Sequence, residues 1–389
     1  MAVGVTRVLR KIALPGLAFV LALFVSGLLI AFSDPKVLHL SRSPLKFIGA
    51  GLSSAGDAYL ALFQGAIYDP NLAHGGFLNG FYPLSETFVS AAPLILAGLS
   101  VALAFRAGLF NIGAQGQFIF GAIGASVVGF KANLPVGIHV IAAILTAMIF
   151  AGIWGGFVGL LKARTGAHEV IVTIMMNYIA GYFLLWLLST APFLRKGRQD
   201  PIAPEVRASA RLPLLAGANM RINAGILIAL AAAGVVWYLL NRTIWGFRFR
   251  AVGANAAAAK TAGISVPLVM TSVMAIAGAL AGLGGAVQIL GSEYALTAGA
   301  GGSFGFDAIT VALLGRSNPI GTVFAALLFG GLRAGGLTMQ ANTDTPLDLI
   351  LVIQALVVLF IAAPAVVKAV FRMKALQTGA GIVSKGWNG

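Results

Sequence analysis

Cysteine is absent from all 389 residues, which excludes disulfides, thiolate metal sites and cysteine nucleophiles. Charge is scarce as well: 10% of residues are charged, where a soluble domain carries roughly 25%. Acids are rarer than bases, 11 against 26, for a net charge of +15. The four histidines (His39, His74, His139, His168) stand far apart and form no H-E-x-x-H pattern, so no metal site is expected. No G-x-x-x-x-G-K-[ST] stretch occurs, so the chain does not bind ATP through a P-loop. Strand-like alternation over about ten residues is missing too, which argues against a membrane barrel. The basic residues lie mostly between apolar runs instead of clustering on a soluble face, so no nucleic-acid partner is expected. What remains is 59% hydrophobic, with a mean hydropathy of +0.94. Recurrent apolar runs of about twenty residues predict an all-α, polytopic protein of the lipid bilayer.

About ten transmembrane helices are expected, some short or broken. The first covers Ile12–Phe32 behind Arg7, Arg10 and Lys11. Its length, and the poor cleavage context Ser33-Asp34-Pro35, read as an uncleaved span. Pro44–Ile67 has helical spacing of apolar residues and reads as a helix at the outer interface. Later spans are read at about 85–105, 108–130, 136–161, 170–189, 224–240 and 267–291. The one at 108–130 begins with Asn111, Gly113, Gln115, Gly116 and Gln117, a poor start for a lipid-facing helix but suited to a broken helix beside a pathway. Gly152/Gly156 and Gly155/Gly159 have the four-residue spacing that lets helices approach closely. Phe306–Leu314 is too short to cross a bilayer and reads as a half-helix with Asp307 in its first turn. A ninth span from Asn318-Pro319 to about Leu337 and a tenth at 347–367 follow. Spans two to five and seven to ten are compatible with an inverted repeat. The chain is read as one transmembrane domain over 1–389: residues 1–84 hold the first span and outer segment, 85–367 the core, 368–389 a tail.

Ten crossings put both termini on one side, with segments 1–11, 162–169, 242–266 and 367–389. These hold thirteen Lys or Arg and one acid, Glu169, which marks them as cytoplasmic. The loop 191–221 conflicts by charge, with Arg195, Lys196, Arg198, Arg207, Arg211 and Arg221 against Asp200 and Glu205. Parity of spans nonetheless places it outside. Within 242–266 a short helix is expected, opened by Gly253-Ala254-Asn255 and closed by Gly263. It presents small residues and Lys260, a shape suited to a groove of another protein. The plain alternative is an ordinary loop between helices.

No span shows paired carboxylates or a chain of Asp, Glu and His, so no ion-coupled carrier chemistry is visible. Intramembrane charge is read as confined to span ends: Glu86, Glu169, Glu293, Asp307, Arg316 and Arg333. An intramembrane enzyme would need a paired nucleophile and base, and no motif supplies one. If the chain transports, another protein supplies the energy.

RAGLFNIGAQGQFIFGAIGA (106–125), HEVIVTIMMNYIA (168–180), VGANAAAAKTAGIS (252–265) and GFDAITVALLGRSNPIGT (305–322) together resemble ATP-binding-cassette importer permeases. The likeness is to the nucleoside and simple-sugar branch of the superfamily that also holds branched-chain amino-acid permeases. It covers roughly 85–365, and departs from the usual pattern at Gln115, where Glu is common, and at His168, where Asn is common. The resemblance implies a bacterial inner-membrane protein that is not itself an enzyme. It implies three partners: a second homologous permease, a cytoplasmic ATPase and an extracytoplasmic substrate-binding protein. ATP and Mg would be used by the ATPase, with no cofactor on this chain. It further implies that Gly253, Asn255, Ala257, Ala258, Lys260 and Gly263 form a coupling helix that docks on the ATPase. For cargo, amides beside aromatics suit hydroxyls and base edges. Candidates are Asn111, Gln115, Gln117, Asn177, Gln288 and Asp307, with Phe118, Phe304 and Phe306 for stacking. The competing reading is that the amides satisfy backbone groups freed at helix breaks. Ribose-like sugars and branched-chain amino acids are the alternative cargoes.

Overall fold

Apolar runs this long bury every backbone polar group inside their own helix, and the computed structural model is helical throughout its regular parts. It describes residues 2–40, 43–217, 219–343 and 345–371. The end of the expected tail, with Arg372, Lys374 and Lys385, lies outside the described residues. The helices are α1 (Ala2–Ser33), α2 (Pro35–Leu38), α3 (Pro44–Ala66), α4 (Tyr82–Arg106), α5 (Ala114–Lys131), α6 (Ile138–Thr165), α7 (Glu169–Ser189) and α8 (Gly225–Arg242). They continue with α9 (Ile244–Ala254), α10 (Ala256–Thr261), α11 (Val266–Gln288), α12 (Phe304–Leu314), α13 (Pro319–Thr343), α14 (Leu347–Ala362) and α15 (Pro364–Val370). Seven described helices are long and apolar enough to cross a membrane. With the more polar α5 and the shorter α12 and α14, they make up the expected set of spans.

The chain forms two compact units. The first contains residues 1–56 and 348–389. In it α1 packs against α15, and Gly51 lets α3 close on Ala31 and Val37. Asp34 caps α2 by accepting Lys36 N–H (2.8 Å) and takes the Ser54 hydroxyl on its other oxygen (2.8 Å).

The second unit, 57–347, is built around α4, whose apolar stretch is 83% buried, against 22% for α6 and 28% for α7. The outer helices thus keep broad apolar faces for lipid or a partner. Small residues set the packing. A Cβ on Gly155 would strike the Met274 carbonyl, and one on Gly278 would strike that of Ala151, so α6 and α11 meet backbone to backbone. Pairing follows the same pattern in both halves: α4 packs on α13 and α12 as α11 packs on α6 and α5, and α4 and α11 pack on each other. Each half also interrupts a crossing, at 107–113 before α5 and at 294–303 before α12.

Two expectations are corrected. First, 242–266 is helical nearly throughout. Thr243 caps α9 by accepting Gly246 N–H (3.1 Å), and Phe249 is buried, so Arg248 and Arg250 sit on a helix. The short helix opens at Asn255, whose side chain accepts Ala258 N–H (3.0 Å). Gly253 ends α9 and presses on the backbone of Arg106–Gly108, leaving no room for a Cβ. Second, the ninth span runs on to Thr343, because Gly335 and Gly331 receive Leu62 and Ala66 of α3 instead of ending the helix.

The two ends of the unit differ electrostatically. At one end α6 meets α7 through Lys162–Glu169, and Arg106 donates to Ser317 O (2.8 Å). There Arg164, Arg242, Arg248, Arg250, Lys260 and Arg316 form no ion pair among the described residues. The segment 191–224 lies at the opposite end, where Arg207 N–H donates to Gly129 O (2.9 Å) and His139 bonds Ser209 (2.8 Å). Its cations are largely neutralised: Arg195 and Arg211 pair with Glu205, Arg198 with Asp200 and Arg221 with Glu86. The Arg198 guanidinium holds the Asp200 carboxyl below its ordinary range.

Candidate functional site

The interrupted crossings bring two helix starts together. α12 is about 16 Å long, about half the thickness of a bilayer's hydrocarbon core. Gln115, in the first turn of α5, donates through Nε2 to Gly302 O (2.9 Å) and accepts Gly305 N–H on Oε1 (2.8 Å). A Cβ at Gly305 would overlap the Gln115 backbone, so only glycine allows the approach. Phe118 and Phe304 then stack, with centroids 5.3 Å apart. Both helix starts carry partial positive charge.

The other amides serve the break before α5. Asn111 donates to Gln117 Oε1 (2.9 Å) and Ser100 Oγ (3.1 Å), and Gln117 donates back to Asn111 Oδ1 (3.1 Å). Asn177 accepts Gly116 N–H (2.8 Å) and donates to Ile112 O (2.9 Å). Gln115 and Asn177 thus bind backbone groups left free where the helices start, and Asn111 and Gln117 satisfy each other. Phe306 is half exposed and turns away from Phe304, two positions along α12.

Charge gathers on the far side of Phe304. Arg333 lies over the Phe304 ring (4.2 Å to the centroid), and the same ring stacks on Phe118. Asp307, one turn beyond Phe304, accepts the Ser303 hydroxyl (2.7 Å). Glu293, which ends a π-helical turn at Ile289–Glu293 after α11, accepts Gln288 Nε2 (2.9 Å). Arg333 is near enough to attract both carboxylates yet forms no ion pair with either. Its Nη1 and the Glu293 Oε2 are buried without a hydrogen-bond partner.

Arg333 stands about 21 Å along α13 from Pro319 and about 15 Å from Thr343. Arg333 thus lies within α13 and not at its end, with Glu293 and Asp307 near it. Sequence reading named Arg333 and Glu293 as charges at span ends and did not count them among the cargo candidates; α13 continues ten residues past Arg333. An arginine inside a 25-residue, otherwise apolar helix was the available signal.

The ATPase-facing candidates lie at the opposite end from segment 191–224. Ala257, Ala258 and Lys260 are exposed on α10, while Ala259 is buried and anchors it. Ala256, Ala257, Lys260, Ile264, Ser265, Val266 and Pro267 line a shallow depression of about 510 Å³. Gly263 turns the chain with φ +79°.

Residues 84–362 match the family described as branched-chain amino acid transport system / permease component. Among similar proteins, the guanosine ABC transporter permease protein NupP of Bacillus subtilis is 40% identical over 84% of this chain and 95% of its own. A glucose ABC transporter permease protein of Haloferax volcanii is 33% identical over 82% of this chain and 86% of its own. The nucleoside ABC transporter permease protein NupB of Lactococcus lactis is 33% identical over 78% and 85%. No solved structure matches the chain. The family match spans both helix breaks and Glu293, Asp307 and Arg333, and this chain belongs to the branched-chain amino acid transport system permease component family.

Proposed function

We propose that this chain is the permease of an ATP-driven importer that passes nucleosides inward by alternating access. Membership of the family implies a separate ATPase chain and a substrate-binding protein. The nucleoside reading rests on one observation, the similarity to a guanosine permease along nearly the whole of that protein. The similarity to a glucose permease supports a second reading, simple sugars, which share their hydroxyl chemistry with the ribose of a nucleoside. ATP and Mg belong on the ATPase in this reading, and no cofactor on this chain.

A second, homologous permease completes the assembly in this proposal. Arg333, Glu293 and Asp307 are only partly enclosed by their own chain, with Gly302 and Phe306 exposed beside them. Charges within spans must face water or protein, not lipid. The end bearing Arg164, Arg242, Arg248, Arg250, Lys260 and Arg316 is the cytoplasmic one in a bacterial inner membrane, with both termini on that side. There α10 acts as the coupling helix, with Asn255 as its cap, Ala257, Ala258 and Lys260 as its outer face, and Gly253 and Gly263 fixing its ends. ATPase closure would push on α10 and rock the helices about the breaks.

Ala257→Glu tests this directly. The residue is exposed, so the protein should reach the membrane at wild-type level while nucleoside uptake falls more than tenfold. Full uptake by the variant would refute the coupling role.

A further inference from the structure

Arg333, Glu293 and Asp307 stand near one another without forming an ion pair. Had the cluster served only to hold α11, α12 and α13 together, Arg333 would close on Glu293 or Asp307, because an unpaired buried charge is costly. Instead the Arg333 guanidinium lies over the Phe304 ring, which also stacks on Phe118. Glu293 is held through one oxygen by Gln288, and Asp307 through one oxygen by Ser303. Each side chain is thus oriented by a neutral neighbour, and Arg333 Nη1 and Glu293 Oε2 are left buried with hydrogen-bonding capacity unspent.

We propose that Arg333 and Glu293, with Asp307, form a cargo contact, the guanidinium donating to a base edge and the carboxylates accepting from amino or hydroxyl groups. A purine nucleoside carries both kinds of group: ring acceptors that suit a planar guanidinium, and amino and hydroxyl donors that suit a carboxylate. The identification of cargo rests on the nucleoside reading above; the contact itself does not. The assignment moves cargo recognition away from Asn111, Gln115, Gln117 and Asn177, whose hydrogen bonds are spent on the fold.

The test is uptake of labelled guanosine at saturating concentration by cells carrying the complete importer. The variants are Arg333→Gln, Glu293→Gln and a triple variant, Arg333→Gln with Glu293→Gln and Asp307→Asn. Co-purified ATPase measures assembly. Each single variant should assemble and lose more than tenfold in uptake, and the triple variant should not recover. A self-compensating charge cluster behaves differently: neutralising all three groups together would restore uptake, and that result would overturn the proposal. Wild-type uptake in the single variants would overturn it as well. If Arg333→Gln fails to assemble, Arg333→Lys decides, since it keeps the charge and loses the planar fork. Reduced uptake by an assembled Arg333→Lys supports the contact, and wild-type uptake contradicts it. Labelled glucose and leucine are run beside guanosine. If the unaltered importer takes one of those and not guanosine, the nucleoside reading falls, and the same variants judge the contact with the cargo actually taken.

Discussion

Gln115 shows how one side chain holds the interior of this protein. Its amide joins the start of α5 to the start of α12 across nearly two hundred positions of sequence, satisfying one N–H and one carbonyl that no helix supplies with a partner. Gln115→Ala leaves the buried Gly305 N–H unpaired, a cost of about 1–3 kcal/mol, and frees the more exposed Gly302 carbonyl. The expected outcome is a marked fall in the thermal midpoint of the detergent-solubilised protein; an unchanged midpoint would show that the amide does not hold the two starts together. Asn177→Leu should act alike on Gly116 N–H and Ile112 O. These partnerships were not legible in sequence. The amides at 111–117 stood out as wrong for a lipid-facing helix, but their bonding depends on residues brought near only by folding. The contacts around Arg333 were hidden for the same reason: α13 continues to Thr343, and its Gly335 packs on Leu62 and Ala66, far away in the chain.

At the scale of elements, hydropathy is a local property, and the spans could be read to within a few residues. The subdivision of 242–266 could not, although its signals, Thr243 and Asn255 as caps, are themselves local. The packing of α6 on α11 was foreseeable from glycine spacing, and it makes a sharp prediction. Gly278→Leu inserts a side chain where Ala151 O already lies, and should cost about 3 kcal/mol or more, seen as loss of folded protein from the membrane. Gly181→Ala on α7 meets nothing within 4 Å and should leave the amount of protein unchanged. If both variants accumulated equally, the close α6–α11 approach would be wrong. Asn255→Ala removes the cap of a six-residue helix, worth about 1 kcal/mol. It should lower uptake partially without lowering the amount of protein.

At the scale of the molecule, the arrangement of ends explains a conflict that charge counting left open. Segment 191–224 is rich in arginine yet folds over the ends of α5 and α6, with most of its cations paired, whereas at the opposite end Arg164, Arg242, Arg248, Arg250, Lys260 and Arg316 form no ion pair among the described residues. The absence of cysteine makes orientation directly measurable. Lys196→Cys should react with a membrane-impermeant maleimide in intact cells, and Ala257→Cys only after permeabilisation; the reverse pattern would invert the proposed topology.

The central claim is that this chain admits nucleosides under the power of a separate ATPase. The most direct measurement is accumulation of labelled guanosine in cells with and without the gene, in the presence of excess glucose. Loss of accumulation on deletion, with no effect of glucose in the parent cells, is the predicted result. Accumulation unchanged by deletion, or abolished by glucose, would contradict it.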